Sequence, residues 1–145
     1  MAIQEAECSG DYSSPKFKEA TERYMKMTVS DIDPNDPNVP SCLTRKKNSG
    51  SISYLSAWGE SEFTPTGSLK TYDTRAFLPS VHVPSLILYG SKDESTKRQN
   101  ETMFSLLGSE EKHIHCFKGS RHMTYFESQK EYLDIVSTFL SSLER

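Results

Sequence analysis

The stretch "VPSLILYGSKDEST" (residues 83–96) decides the fold of this chain. It begins with a short apolar run bounded by Pro84 and Gly90, which is typical of a strand buried on both faces of a parallel sheet. A helix is predicted to follow in "STKRQNETMFSLLG", because hydroxyl side chains precede it and Gly108 stands where a helix commonly ends. The sequence therefore predicts a β-strand that leads directly into an α-helix.

The same order of strand and helix recurs towards the C-terminus. The pattern predicts a second strand in "HIHCFKG" (113–119) and an amphipathic helix in "EYLDIVSTFLSSL" (131–143). Strand, helix, strand and helix in this order predict a right-handed parallel βαβ unit, so the fold class is α/β. Two strands alone do not make a stable open sheet. The residues expected on the buried side of the last helix are Tyr132, Leu133, Ile135, Val136, Phe139 and Leu140.

Residues 1–72 differ from residues 73–145 in being polar and rich in helix breakers. We predict that they form a separate segment, helical and loop-rich. One helix is expected to begin at Ser14 and Pro15, since proline suits the first helical position and apolar residues then recur at helical spacing. The proline-spaced and basic segment between Asp31 and Ser51 is predicted to be a loop.

Composition and charge exclude several classes of protein. With 145 residues and a net charge of -3, the chain has the size of one ordinary domain and lacks the basic footprint of a nucleic-acid-binding protein. Its three cysteines are odd in number and widely spaced, which argues against a disulfide framework and a metal site and suits a reducing compartment. No apolar run reaches the length of a membrane span, and no signal-peptide pattern opens the chain. We therefore expect a cytoplasmic protein with neither nucleic acid nor membrane as a partner.

Two ionisable residues follow the two predicted strands at the same distance. Asp93 lies three residues beyond Gly90, and His122 lies three residues beyond Gly119. Adjacent parallel strands bring such loops side by side, within reach of a carboxylate–imidazole hydrogen bond. This is the orienting half of a nucleophile–His–acid triad, with the acid preceding the histidine along the chain. The alternative is that Asp93 caps the following helix and His122 is an ordinary loop histidine.

Longer segments resemble one family of enzymes. Residues 83–96, together with "FKGSRHMTYFE" (117–127) and the closing helix, are similar to the C-terminal end of an α/β-hydrolase. "WGESEFTPTGSLKTYD" (58–73) resembles the cap-domain signature of the proline iminopeptidase family, which reads roughly W-G-P-x-E-F-x-x-T-G-x-L-K-x-W-D. The resemblance covers essentially the whole chain. It implies a partial α/β-hydrolase fold, with residues 1–72 as the cap, and a serine aminopeptidase that releases N-terminal proline or another small residue from peptides.

The resemblance implies a role for five residues. Asp93 is similar to the triad acid, and His122 is similar to the triad base. Glu62 and Glu94 resemble a carboxylate pair that holds the free amino terminus of the substrate, and Tyr54 resembles a hydroxyl contributor to the same pocket. Two partly buried carboxylates offset the lost hydration of an ammonium group better than one does. The alternative for Glu62 and Glu94 is solvated surface charge, the commoner environment of a glutamate.

The sequence departs from the family at several positions, including Glu60, Pro65 and Tyr72 in the cap signature, and two departures bear on catalysis. Neither a G-x-S-x-G nucleophile motif nor an H-G-G-type oxyanion loop occurs in the 145 residues, whereas the family carries both upstream of the cap. The resemblance then implies that this chain is the C-terminal half, supplies the acid and the histidine without the nucleophile, and is inactive alone. Arg121 stands directly before His122, where the family usually has a small residue, and its guanidinium would oppose formation of the imidazolium.

Partners follow from the same resemblance, and rival functions stay open. The expected partners are a peptide with a free amino terminus and, at the exposed sheet edge, either the missing N-terminal half or a second copy of the chain; no cofactor and no metal are expected. Trp58 and Phe63 either wall a proline-sized pocket or belong to the core of the cap. An esterase or epoxide hydrolase of the same fold would have no use for the pair Glu62 and Glu94. A non-catalytic fragment, retained as a binding or assembly module, would account for the absent nucleophile.

Overall fold

The computed structural model describes residues 2–33, 36–37, 39 and 51–144. The chain divides into two compact units, and Met27–Ser30 together with the residues from Asp73 onward form the second of them. The first unit contains the preceding residues up to Lys26 and those from Asp31 to Tyr72. Each unit has buried apolar side chains of its own. Most of the predicted loop between residues 31 and 51 lies outside the described residues.

The described residues of the first unit form helices joined by loops. Its helices are α1 (Ala2–Ser9), α2 (Pro15–Thr28), whose last two residues belong to the second unit, and α3 (Ser51–Ala57). Helix α2 begins at the predicted position, because the Ser14 hydroxyl accepts a hydrogen bond from the backbone N–H of Phe17 at 3.2 Å. The sequence did not reveal α1, in which only Ala6 is buried and no apolar periodicity marks a core-facing side.

Aromatic rings form the core of the first unit. The ring of Phe63 lies 5.0 Å from that of Tyr24 and 6.4 Å from that of Phe17, and Phe17 in turn contacts Tyr12. Edge-to-face contacts of this kind stabilise apolar cores. Phe63 therefore contributes to the aromatic core of the first unit.

The second unit has the predicted alternation of strands and helices. Its elements are a short 3-10 helix (Leu78–Ser80), β1 (Ser85–Gly90), α4 (Lys97–Leu106), β2 (Lys112–Phe117), α5 (Thr124–Glu127) and α6 (Gln129–Leu143). The two strands are parallel, with Ser85 opposite Lys112 and Gly90 opposite Phe117. This confirms the parallel α/β arrangement that the sequence predicts.

The side chains of β1 are buried to different extents. Ile87 and Tyr89 are buried, whereas Leu86 and Leu88, which point to the opposite face, are partly exposed. The expectation that β1 is buried on both faces is therefore wrong for the described residues. An apolar cavity of about 430 Å³ is lined by residues of both strands and of the last helix, and these include Leu86.

The face of α6 that packs on the sheet is narrower than the apolar face that the sequence predicts. The rings of Tyr132 and Phe139 contact those of Phe117 and His113, both pairs at 5.9 Å. Two leucines that were predicted to be buried are instead more than half exposed, Leu133 at 54% and Leu140 at 55%. They are seven residues apart and therefore lie on the same side of the helix. An uncovered apolar stripe of this kind is the usual mark of a surface that another element covers.

Candidate active site

Hydrogen bonds join the loops that follow the two strands. The N–H of Ser91 donates to the Phe117 carbonyl and the N–H of Lys92 donates to the Ser120 carbonyl, both at 2.9 Å. The Ser91 hydroxyl also accepts the N–H of Gly119 at 2.8 Å. The chain folds in this way because parallel strands end at the same edge, where their loops satisfy each other's backbone groups.

Gly90 permits this close approach. A Cβ atom at Gly90 would lie 2.2 Å from the carbonyl oxygens of both Ser120 and Arg121, which is far inside the distance that any side chain tolerates. The last residue of β1 therefore has to be glycine for the loop that carries His122 to cross over it.

Asp93 and His122 meet at this edge of the sheet. The imidazole Nδ1 of His122 lies 3.0 Å from Oδ1 of Asp93, a normal distance for a charge-assisted hydrogen bond. The side chain of Asp93 is only 4% exposed, whereas that of His122 is 52% exposed. The carboxylate is thus enclosed, and the imidazole is open to an incoming group.

Asp93 is held by backbone groups as well as by His122. Its Oδ1 accepts the N–H of Ser95 at 2.8 Å, and its Oδ2 accepts the N–H of Gly90 at 3.4 Å. The cap of α4 is a different residue: Thr96 forms a reciprocal capping box with Gln99. The alternative in which Asp93 serves as the helix cap is therefore excluded.

A buried amide fixes the loop of the acid to the helix that follows it. Asn100, which is 4% exposed, donates from Nδ2 to the carbonyl oxygens of Ser95 and Thr96 at 2.8 and 3.0 Å. Buried amides with all their donors bonded rigidify a loop. Sequence reasoning missed Asn100, although an asparagine on the apolar side of a helix is a signal of such a contact.

The residues that resemble an amino-terminus site lie in two different units. In the first unit, the phenolic hydroxyl of Tyr54 donates to Oε2 of Glu62 at 2.6 Å, and both residues are exposed. In the second unit, Glu94 is exposed next to Asp93. The structure thus brings together Tyr54 and Glu62, and it brings together Asp93 and His122.

A buried serine supports the segment that carries Glu62. Ser61 is 1% exposed, its hydroxyl donates to a carboxylate oxygen of Glu7 in α1, and the same hydroxyl accepts the N–H of Phe63 at 3.1 Å. The indole Nε1 of Trp58 is buried, with no hydrogen-bond partner among the described residues.

Two further findings concern the described part of the chain only. Its side chains include no cluster of three or more His, Cys, Asp or Glu residues that could hold a metal ion. Nor does any helix in it have the length and apolar character that crossing a membrane requires.

Curated proteins that resemble the chain share one description, proline iminopeptidase. No family model matches the chain. A proline iminopeptidase of Clostridium botulinum is 33% identical over 140 residues, which is 97% of this chain and 46% of the relative. A proline iminopeptidase of Lactobacillus helveticus is 32% identical over 139 residues, again 46% of its length. The chain therefore spans about half the length of the curated relatives it matches.

Solved structures resemble the chain over the same extent. The crystal structure of a proline iminopeptidase from Mycobacterium smegmatis matches 97% of this chain with a TM-score of 0.79 and 23% identity, and the match covers 46% of that structure. The crystal structure of VinJ matches 98% of the chain with a TM-score of 0.80 and 20% identity. At these identities the two structures establish a shared fold.

Proposed function

We propose that this chain, which resembles proline iminopeptidases over 97% of its length and has a partial α/β-hydrolase fold, forms the cap and the acid–base part of a serine aminopeptidase. The reaction is the release of N-terminal proline, or of another small residue, from a peptide. The observation that carries the proposal is the hydrogen bond of 3.0 Å between Asp93 and His122.

In this reaction His122 moves a proton and Asp93 orients the imidazole. A serine hydroxyl supplied by another part of the enzyme attacks the first peptide carbonyl and gives its proton to Nε2 of His122. His122 then protonates the leaving amine nitrogen, and water enters by the same route to release the amino acid. Asp93 holds Nδ1–H, which fixes the tautomer and stabilises the imidazolium. The reaction needs no cofactor.

The cap provides a carboxylate for recognition of the free amino terminus. Glu62 holds the ammonium group and Tyr54 adds a hydroxyl, and the family resemblance implies a role in recognition for Glu94 of the second unit as well. The bond of 2.6 Å between Tyr54 and Glu62 supports this role, because it fixes a carboxylate in an otherwise exposed position. An enzyme that binds the charged amino terminus of its substrate cleaves at the end of the peptide and is therefore an exopeptidase.

The upstream half of the fold is the partner that completes the site. β1 pairs only with β2 among the described residues, so its other edge offers unpaired backbone groups. The exposed side chains of Leu133 and Leu140 and the apolar cavity beside α6 lie in the same unit as this edge. The matched region is 46% of the Clostridium botulinum relative, so more than half of that relative lies outside it. A polypeptide that supplies a parallel strand and apolar helices fits both surfaces.

One alternative has a specific observation in its favour. The absence of G-x-S-x-G in the 145 residues fits a non-catalytic module that binds through the same edge and apolar surface. An esterase or epoxide hydrolase of the same fold is a weaker alternative, because neither needs the pair Glu62 and Glu94. The three functions differ in whether a completed enzyme hydrolyses a free-amine substrate, a blocked substrate or neither.

A fusion enzyme tests the proposal. The part of the Clostridium botulinum relative upstream of its matched region is joined to this chain, and hydrolysis of a prolyl arylamide is measured. We expect activity that falls by about 10⁴-fold in Asp93→Asn, because the amide stabilises the wrong imidazole tautomer. His122→Ala is expected to abolish it.

The second histidine–carboxylate pair of the chain provides a matched control. His115 lies 2.9 Å from Glu131, outside the candidate site. His115→Ala is therefore expected to retain the activity of the parent fusion. A fusion that melts cooperatively but does not hydrolyse the substrate, or that hydrolyses N-acetylated esters as readily as free-amine substrates, would contradict the proposal.

A further inference from the structure

Glu127 binds the residue that precedes His122 through two separate contacts. Its Oε2 accepts the backbone N–H of Arg121 at 2.7 Å, and its Oε1 accepts Nη1 of the same residue at 2.6 Å. The side chains are 26% exposed for Arg121 and 16% exposed for Glu127. A carboxylate that binds both the main chain and the guanidinium, with little exposure, differs from a solvated surface ion pair.

These contacts fix the main chain at His122 from two directions. The N–H of His122 donates to the carbonyl of Thr28 at 3.0 Å, within the same compact unit. The preceding N–H, that of Arg121, is the one that Glu127 accepts. Since both peptide groups are held, the backbone that places the imidazole beside Asp93 has little freedom to move.

We propose that Glu127 is a positioning residue of the acid–base site, which orients His122 through the backbone of Arg121. The catalytic consequence rests on the proposed function. The orienting effect is a property of the chain itself and is measured without any reaction.

Nuclear magnetic resonance of the chain tests the orienting effect. The Nδ1–H proton of His122, bonded to Asp93, gives a downfield signal. In Glu127→Ala we expect this proton to exchange with water at least about tenfold faster, as the loss of one good hydrogen bond would cause. Glu131→Ala, which breaks the pair with His115, is the matched control and should leave the signal unchanged. An unchanged signal in a folded Glu127→Ala chain would overturn the proposal.

A milder variant covers the case in which Glu127→Ala does not fold. Glu127→Gln keeps an oxygen that accepts the N–H of Arg121 but removes the charge. We expect this variant to fold and to keep the signal of His122. Loss of the signal in a folded Glu127→Gln chain would overturn the view that the hydrogen bond to the backbone does the orienting.

The fusion enzyme tests the catalytic consequence. Glu127→Ala should lower kcat about tenfold with KM unchanged, because His122 is less well oriented. Glu127→Gln should recover most of that loss, since its side-chain oxygen still accepts the N–H of Arg121. An equal loss of kcat in the two variants would overturn the orienting role. An inactive fusion counts against the proposed function and leaves the resonance result to decide the orienting role.

Discussion

The imidazole of His122 is held on one side and open on the other. Its Nδ1 is bonded to Asp93, which leaves Nε2 for a reacting hydroxyl, and about half of the side chain is exposed. Asp93 is enclosed and accepts two backbone N–H groups besides the imidazole. A fixed acceptor next to an accessible imidazole is the arrangement that general base catalysis requires.

Glu62 provides a residue-scale prediction about substrate recognition. In the fusion enzyme, Glu62→Gln should lower kcat/KM for prolyl arylamides about tenfold to a hundredfold, because a charge-assisted bond to the substrate ammonium is lost. Tyr54→Phe should have a smaller effect in the same direction, since it leaves the carboxylate in place. Glu60→Gln, two residues away and also exposed, is the matched control. Equal effects of Glu60→Gln and Glu62→Gln would remove Glu62 from the site.

Asp73 provides a residue-scale prediction about pH. The side-chain hydrogen bonds from Arg75, followed by the backbone N–H of Arg75, lower the pKa of Asp73 from 3.8 to about 2. Because the folded-state pKa is lowered, this pair stabilises the folded chain above pH 3.8, and the contribution is lost as the pH falls through about 2. Arg75→Leu should raise the pKa of Asp73 only part of the way to 3.8, since the backbone donor remains.

A carboxyl titration by nuclear magnetic resonance measures this shift. Arg98→Leu, a change of the same type on α4, should leave the pKa of Asp73 where it is. If Arg75→Leu did not move the pKa of Asp73, the ion pair at the start of the second unit would be ruled out as its cause.

At the scale of elements, the sequence predicts best those strands and helices that local patterns of apolar and capping residues determine. β1, β2, α4 and α6 follow from apolar runs and capping signals, and the meeting of Asp93 with His122 follows from parallel topology. The sequence does not reveal α1, which lacks periodicity. Nor does it reveal the exposure of Leu133 on α6, because a pattern shows which residues are apolar but not how wide the covering element is.

The contact of Glu127 with Arg121 was also beyond sequence reasoning. It depends on how α5 turns back on the loop that carries His122, and no local pattern encodes that tertiary geometry. Asn100 is similar, because its three hydrogen bonds exist only once the loop of the acid has closed over α4.

Gly90 provides an element-scale prediction. Gly90→Ala should destabilise the second unit by about 2 kcal/mol or more, because the new Cβ forces the loop carrying His122 away from β1. Gly119→Ala is the matched control: its φ of +87° is unfavourable for alanine, but no atom lies within 4 Å of the added Cβ. That variant should lose only about 1 kcal/mol. Thermal melting compares the two, and a smaller loss for Gly90→Ala would show that the two loops do not approach as described.

At the scale of the whole molecule, uncovered surface should dominate the behaviour of the isolated chain. The open edge of β1, the side chains of Leu133 and Leu140 and the apolar cavity leave apolar area that another polypeptide would cover. We expect the purified chain to self-associate and to bind a hydrophobic dye such as ANS. Leu133→Lys/Leu140→Lys should reduce both. Light scattering that shows a monodisperse monomer without dye binding would instead favour a self-sufficient module.

Hydrolysis of a prolyl arylamide by the chain, before and after the upstream part of a relative is added, tests the central claim most directly. The claim is that this chain holds the acid and the base of the reaction while the nucleophile comes from elsewhere. We predict no rate above background for the chain alone, since the members of such a site act as a unit. Addition of the upstream part should produce a rate that His122→Ala abolishes. Turnover by the purified chain alone that disappears in His122→Ala would contradict the claim, because it would mean that these 145 residues contain their own nucleophile.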